Sequence, residues 1–169
     1  MVVKIRSMVS DEFETVQRWS IKHHAAELME ELHMSEEEAI AEATLEFTQL
    51  LPDGIHTKHN HLMTIVEAAS DETVGFIWTL HEEFQGRKQS FICDFAIWES
   101  KRRRGYAAAA LYLAEKNAAE AGCQESVLFV RDDNTAARAL YEKSGYIVLR
   151  QKDSGKFMKK QICDLPPTY

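Results

Sequence analysis

Cysteine is scarce in this chain: Cys93, Cys123 and Cys163 are far apart and odd in number. Such a set suits free thiols in a reducing compartment and not a disulfide framework. Proline and glycine are sparse too, at three and seven residues. They never gather with serine into a linker, and there is no internal repeat or low-complexity tract, so a single domain over residues 1–169 is expected. No apolar run is long enough to span a membrane. The opening residues through Phe13 lack the apolar core of a signal peptide, so a cytoplasmic protein without a membrane partner is the expectation. Positive charge is in deficit: 20 Lys and Arg against 27 Asp and Glu leave a net −7, which disfavours general nucleic-acid binding.

What is present describes an ordinary globular protein, with 45% hydrophobic and 28% charged residues and enough length to bury a core. Val2 to Met8 reads as a strand. Ser10 is the expected cap of a helix running to about Leu32, on which Phe13, Val16 and Leu28 form a broken stripe. Ser35-Glu36-Glu37-Glu38 matches a capping box before a second helix carrying Ile40, Ala43, Leu45, Phe47 and Leu50, ended by Pro52-Asp53-Gly54. Strands follow at Leu62–Ala69, Val74–Leu80 and Ser90–Trp98, then a helix from Arg104 to Ala121 with Leu111 and Leu113 inward. Ser126–Val130 reads as a strand, Asn134–Lys143 as a helix, and Tyr146–Leu149 and Lys156–Ile162 as closing strands. The order β-αα-βββ-α-β-α-ββ implies an α/β (α+β) protein around a mixed sheet.

One junction stands out. The strand-like run from Phe91 to Trp98 leads into Lys101-Arg102-Arg103-Arg104, a single glycine, Gly105, and an alanine-rich helical pattern. Cations and a small residue between strand and helix let backbone amides approach a polyanion, and the opening helix adds unpaired N–H groups and a positive dipole end. The successive amides from Arg103 through Gly105, Tyr106, Ala107 and Ala108 could cradle a pyrophosphate. A solvated basic turn and a nucleic-acid patch are the competing readings. A second segment leaves a strand at Leu128–Val130 and enters a helix at Asn134. Tyr141, seven residues on, lies on the same helical face. Read alone, Asn134 is a helix cap and Tyr141 a core aromatic; alternatively, the two hold and face a ligand.

Together the two segments resemble the GNAT superfamily of acyl-CoA-dependent N-acetyltransferases. The likeness covers nearly the whole chain and is carried by Phe95-Ala96-Ile97 followed by Arg102-x-x-Gly105-x-Ala107, and by Asn134-x-x-Ala137-x-x-Leu140-Tyr141-x-x-x-Gly145-Tyr146. Leu50-Leu51-Pro52 through His59-x-His61-Leu62 is similar to small bacterial members of the YycN type. The resemblance implies a mostly antiparallel mixed sheet with a V-shaped splay between strands 4 and 5, flanked by helices, and acetyl-CoA as co-substrate. It implies that Phe95, Ala96 and Ile97 pair with the pantetheine arm, with the Ile97 amide polarising the thioester carbonyl. It likewise implies that Arg102, Arg103, Arg104, Gly105, Tyr106, Ala107 and Ala108 bind the pyrophosphate. Asn134 and Ala137 match the pantetheine side, and Tyr141 matches the tyrosine that protonates the leaving thiolate. The Arg103 position is often glycine in this family. Phe129 occupies a position that carries a glutamate base in a branch acetylating ribosomal-protein N-termini, so that base assignment fails here.

Direct transfer needs a group to take the amine's proton. Asp94, expected to face opposite to Phe95 and Ile97, is the first candidate. His81, with Glu82 assisting, is the second. His56, His59 and His61 lack companion ligands at metal-binding spacing, so no metal is expected. The leading reading is an enzyme moving an acetyl group to a primary amine of a small molecule, peptide or protein, as a monomer or homodimer with no nucleic-acid partner. The acidic composition favours a cationic acceptor. A catalytically silent acyl-CoA sensor or regulatory domain is the alternative.

Overall fold

The computed structural model describes residues 2–163. Its elements run β1 (Val3–Ser7), α1 (Ser10–Leu32), α2 (Glu36–Leu50), β2 (Asn60–Glu67), β3 (Thr73–Phe84), β4 (Arg87–Ile97), α3 (Tyr106–Glu120), β5 (Glu125–Arg131), α4 (Thr135–Lys143), β6 (Ile147–Lys152) and β7 (Gly155–Gln161). They fall into two compact units. One spans Met8–Asn60, and the other joins the N-terminal strand to everything from His61 onward.

The first unit is a helical hairpin. Ala25 and Leu28 of α1 bury against Ala39 and Ala43 of α2, small residues that let two backbones approach. Phe13 and Phe47 pack with ring centroids 6.0 Å apart. Ser35 caps α2 as expected: Glu38 N donates to its Oγ at 3.3 Å, and Ser35 N donates to the Glu38 carboxylate at 3.0 Å. The start of α1 differs from expectation, because the cap is Val9, whose N–H donates to Glu12 at 3.1 Å, and Ser10 is already helical. A carboxylate reaching back from the first turn thus replaces the serine cap. The apolar stripe expected on α2 also shifts. Ala39, Ala43 and Phe47 are buried, whereas Ile40, Leu45 and Leu50 are exposed. Spacing of four, not of five, matches one helical face.

The second unit is a seven-stranded sheet in the order β1-β2-β3-β4-β5-β7-β6. Only β4 and β5 run parallel among the strand pairs whose register is defined. Helix α3 lays Tyr106, Ala110, Leu111 and Ala114 on one face, against Ile65, Ile77, Ile92 and Leu128; Tyr141 of α4 and Tyr146 join the same core. β3 and β4 are longer than their apolar runs predict. Their polar arms, Glu82-Glu83-Phe84 and Arg87-Lys88-Gln89, pair across a two-residue turn at Gln85-Gly86 with φ of 50° and 75°. That left-handed turn is the hairpin type that matches strand twist, so ladder bonds hold segments that hydrophobic patterning marks as loop. Helix α3 starts after Gly105, not at Arg104, because Gly105 caps it with φ 77°.

One ion pair is buried in this core. Glu115 of α3 accepts from Lys160 of β7 at 2.5 Å, and burial pushes its carboxyl pKa upward while Lys160 opposes the shift. Beside it the Tyr146 hydroxyl donates to Ser126 Oγ at 2.7 Å.

Candidate active site

The sheet divides at one point. β4 and β5 pair from Gln89–Glu125 through Ile92–Leu128 and no further. Beyond that, β4 stays on β3 as far as the Ile97–Gly75 pair, and β5 stays on β7 as far as Arg131–Gly155. The strands therefore diverge after Ile92. The register on β3 steps from Trp78–Asp94 to Thr79–Ile92, which makes Cys93 the extra residue of a β-bulge at the apex. A bulge bends its strand and raises local twist, and so turns β4 away from β5.

Two glycines hold the diverging arms to their outer neighbours. A Cβ on Gly75 would stand 2.1 Å from the Ala96 carbonyl oxygen, and one on Gly155 would stand 2.3 Å from the Phe129 ring and 2.6 Å from the Val130 oxygen. Either arm could carry a side chain there only by moving.

The exposed backbone of β4 has a defined direction. Trp98 N donates to Val74 O at 2.9 Å, so by strand alternation Trp98, Ala96 and Asp94 bond β3, while Phe95 and Ile97 turn their polar groups into the gap. Two of those groups have local partners. Phe95 N donates to its neighbour Asp94 at 2.8 Å, and Ile97 O accepts from Arg102 Nε at 3.1 Å. The Ile97 amide and the Phe95 carbonyl also face the gap.

The basic run beyond the gap is split between two tasks. Lys101 pairs with Glu72 at 2.6 Å, and Arg102 is fastened to the Ile97 carbonyl. Tyr106 is buried, its hydroxyl donating to Glu67. The Ser70 and Tyr106 hydrogen bonds hold the Glu67 carboxyl below the usual range, with Lys101 and Arg104 adding to the effect. Arg103 and Arg104 are exposed. Arg103 has φ 62° and Gly105 φ 77°, a left-handed pattern that gathers successive N–H groups on one side. The first amides of α3, at Tyr106, Ala107 and Ala108, have no acceptor within the helix. Apart from its own chain neighbours, no atom of the described residues lies within 4 Å of where a Gly105 Cβ would be. An open cradle of amides with two exposed guanidinium groups fits a diphosphate.

Asn134 caps α4, its Oδ1 accepting from Ala137 N at 3.2 Å; its amide nitrogen is the group left to donate elsewhere. Tyr141 is buried with its ring 5.6 Å from that of Tyr146. Burial first, and the Asp94 carboxylate second, push the Tyr141 hydroxyl pKa well above its ordinary value. Asp94 and Tyr141 are thus brought within electrostatic reach of each other at the gap. Cys93 joins them: burial, then Asp94 and Glu82, push its thiol up to about 12, leaving it a thiol at neutral pH.

His81 is set apart. It pairs with Ser90, below the apex, and alternation places it on the sheet face opposite to Asp94 and Glu82. There it stacks on His61 with centroids 4.0 Å apart. Phe129 packs on Phe157, 5.1 Å away. Among the described residues no cluster of His, Cys, Asp or Glu could hold a metal ion, and no helix is long and apolar enough to cross a membrane. Sequence patterning missed the bulge at Cys93 and the anchors Glu67 and Glu72. No local motif marks any of them, since each depends on a partner distant in sequence.

Residues 20–146 match the model of the acetyltransferase (GNAT) family. The chain is 32% identical over 146 residues to an uncharacterized N-acetyltransferase, YycN, of Bacillus subtilis strain 168, covering 86% of this chain and 93% of that protein. The crystal structure of B. subtilis YycN superposes with a TM-score of 0.78 over 89% of this chain and 98% of that one. The PaiA N-acetyltransferase of Thermoplasma acidophilum in complex with coenzyme A shares the fold at a TM-score of 0.71 and 18% identity, covering 95% and 99% of the two chains. So does the spermidine N-acetyltransferase of Vibrio cholerae in complex with CoA and spermine, at 0.68 and 15%, with 95% of each chain covered.

Proposed function

The chain belongs to the GNAT family of acetyltransferases, which use acetyl-CoA as co-substrate, and from that premise we propose that it acetylates a primary amine by direct attack in a ternary complex. The observation that carries this reading is the divergence of β4 from β5 after Ile92–Leu128, with the Ile97 amide facing the gap.

In this reading Arg103, Arg104 and the amides from Gly105 to Ala108 hold the diphosphate, with Arg102 fixing the loop to the strand end. Phe95, Ala96 and Ile97 bind the pantetheine arm as an added strand, and Asn134 and Ala137 flank it from α4. The Ile97 N–H donates to the thioester carbonyl oxygen as negative charge grows there. Asp94 draws in the ammonium form of the acceptor and takes its proton, directly or through water. The amine nitrogen then bonds to the acetyl carbon and the C–S bond breaks. Tyr141, kept protonated by its raised pKa, gives its proton to the departing sulfur and is reprotonated by the second proton that the newly acylated nitrogen sheds. His81, buried on the other face, has no part in this scheme.

Tyr141→Phe tests the assignment. It should lower kcat by about 10²-fold or more, the usual worth of a positioned general acid, with acetyl-CoA affinity by calorimetry unchanged. An unaltered kcat would remove Tyr141 from the chemistry.

A further inference from the structure

On the sheet face away from α3, a groove of about 720 Å³ runs from the β3–β4 turn along the paired part of β4 and β5 to the step before the gap opens. Its size lies in the range of small-molecule sites. Phe91 and Val127, the cross-strand pair one step before the last β4–β5 pair, form its floor. Phe157 lines it and packs at a tilt on Phe129, the first β5 residue past that last pair. Glu82 also lines it and acts, together with Asp94, on the Cys93 thiol at the apex. The groove thus ends one strand pair short of the gap where the reacting nitrogen must sit.

Its charges are polarised. On the β3–β4 side stands Glu82, which accepts from Gln89 at 2.7 Å; Asp94, past the bulge, is on the same sheet face by alternation. On the β7–β6 side stand Lys159 and Arg150, the latter with its guanidinium 4.5 Å over the Phe157 ring. Stacking fixes a planar fork that suits a carboxylate. Arg87 and Glu125, also in the lining, face each other at 3.8 Å and offset one another.

Resting on the transfer reading above, we infer that the acceptor is an amine with an acidic group at its far end and an apolar body between. The nitrogen lies in the gap between β4 and β5, and Lys159 is one strand beyond β5. Strand spacings near 4.8 Å put the two charges about 7 Å apart across the sheet, and Lys159, opposite Val127, is set back from Asp94 by about two residues of strand rise, so the span is on the order of 7–10 Å. A di- or tripeptide spans that distance. A polyamine would place its second ammonium beside Arg150 and Lys159, where like charges repel. The overall acidity of the chain therefore misleads about its acceptor, because the groove has its own charge.

The test uses glycyl-phenylalanine, its C-terminal amide and spermidine as acceptors for the full chain. Glycyl-phenylalanine should be acetylated with kcat/KM at least tenfold above the other two. Arg150→Ala and Lys159→Ala should each lower kcat/KM for glycyl-phenylalanine at least fivefold more than for the amide, chiefly through KM. Preference for spermidine or the amide, or equal losses on both peptides, overturns the inference and leaves amine acetylation standing. Calorimetric titration of the same peptides without acetyl-CoA separates the two ideas. Selective binding of glycyl-phenylalanine with no turnover of any amine supports the groove and overturns the transfer reading. Neither binding nor turnover of glycyl-phenylalanine overturns the inference.

Discussion

Adding a single methyl group at Gly75 should damage catalysis more than folding. An alanine Cβ there would sit 2.1 Å from the Ala96 carbonyl oxygen, against an ordinary C···O approach of about 3.3 Å. The deficit is roughly 1 Å, and the atom in the way is backbone, so the end of β4 must move. Overpacking of this kind typically costs about 1–3 kcal/mol, which for a chain of this size corresponds to a Tm drop on the order of 5 °C. The same displacement moves the Ile97 amide relative to Tyr141, and a misplacement of about 1 Å can cost on the order of 10² in rate. Gly75→Ala should therefore remain folded at 25 °C yet lose about two orders of magnitude in kcat. Thermal denaturation and steady-state thiol release measure the two effects independently. A variant with lowered Tm and wild-type kcat would refute the idea that the position of the β4 end governs the chemistry.

Two further outcomes follow from buried and paired charges. Lys160→Ala leaves the Glu115 carboxylate buried without its ion-pair partner and should cost about 3–5 kcal/mol in denaturant unfolding. The loss should shrink toward acid pH, because a raised carboxyl pKa makes the folded state take up the proton first; a loss independent of pH would refute this. In the helical hairpin, His24 bonds Glu27 at 3.3 Å and Glu46 at 2.5 Å, and these carboxylates, Glu27 first, raise its pKa from 6.5 to about 9. A raised folded-state pKa stabilises fully below pH 6.5 and fades as pH rises through about 9, so His24→Gln should lower Tm at pH 6 and leave it unchanged at pH 10. Equal loss at both pH values would exclude the charge as its cause.

What could be read from the chain ahead of its coordinates was whatever depends on neighbours in sequence. The element order, the Ser35 capping box and the Asn134 cap are local features, and each has the expected form. The shared helical face of Asn134 and Tyr141 is likewise a matter of spacing alone. Features that depend on strand pairing were invisible. The polar arms of β3 and β4 carry no apolar alternation, yet they form the longest antiparallel pairing of the sheet. The bulge at Cys93 is a two-against-one count that only the partner strand defines. Similarly, nothing in four consecutive cations says that Lys101 and Arg102 have partners at Glu72 and Ile97 while Arg103 and Arg104 stay exposed. The groove beside the gap draws its charges from β3, β6 and β7, up to about eighty residues apart, and no motif could have assembled them.

The fastening of Lys101 and Arg102 also bears on how quickly the enzyme could take up its donor. A loop free to wander must be caught in a productive shape, and each long side chain immobilised at that moment subtracts about 0.5–1.5 kcal/mol from affinity. Here Lys101 and Arg102 are ordered before any encounter, which leaves only Arg103 and Arg104 to be fixed on binding. Capture would then follow diffusion and local attraction, not loop closure. The acidic remainder, at net −7, repels a polyanion at long range, while Arg103 and Arg104 attract it at short range. Dissolved salt screens the long-range repulsion first. Moderate ionic strength should therefore leave donor association unslowed, unlike encounters driven by attraction between whole molecules.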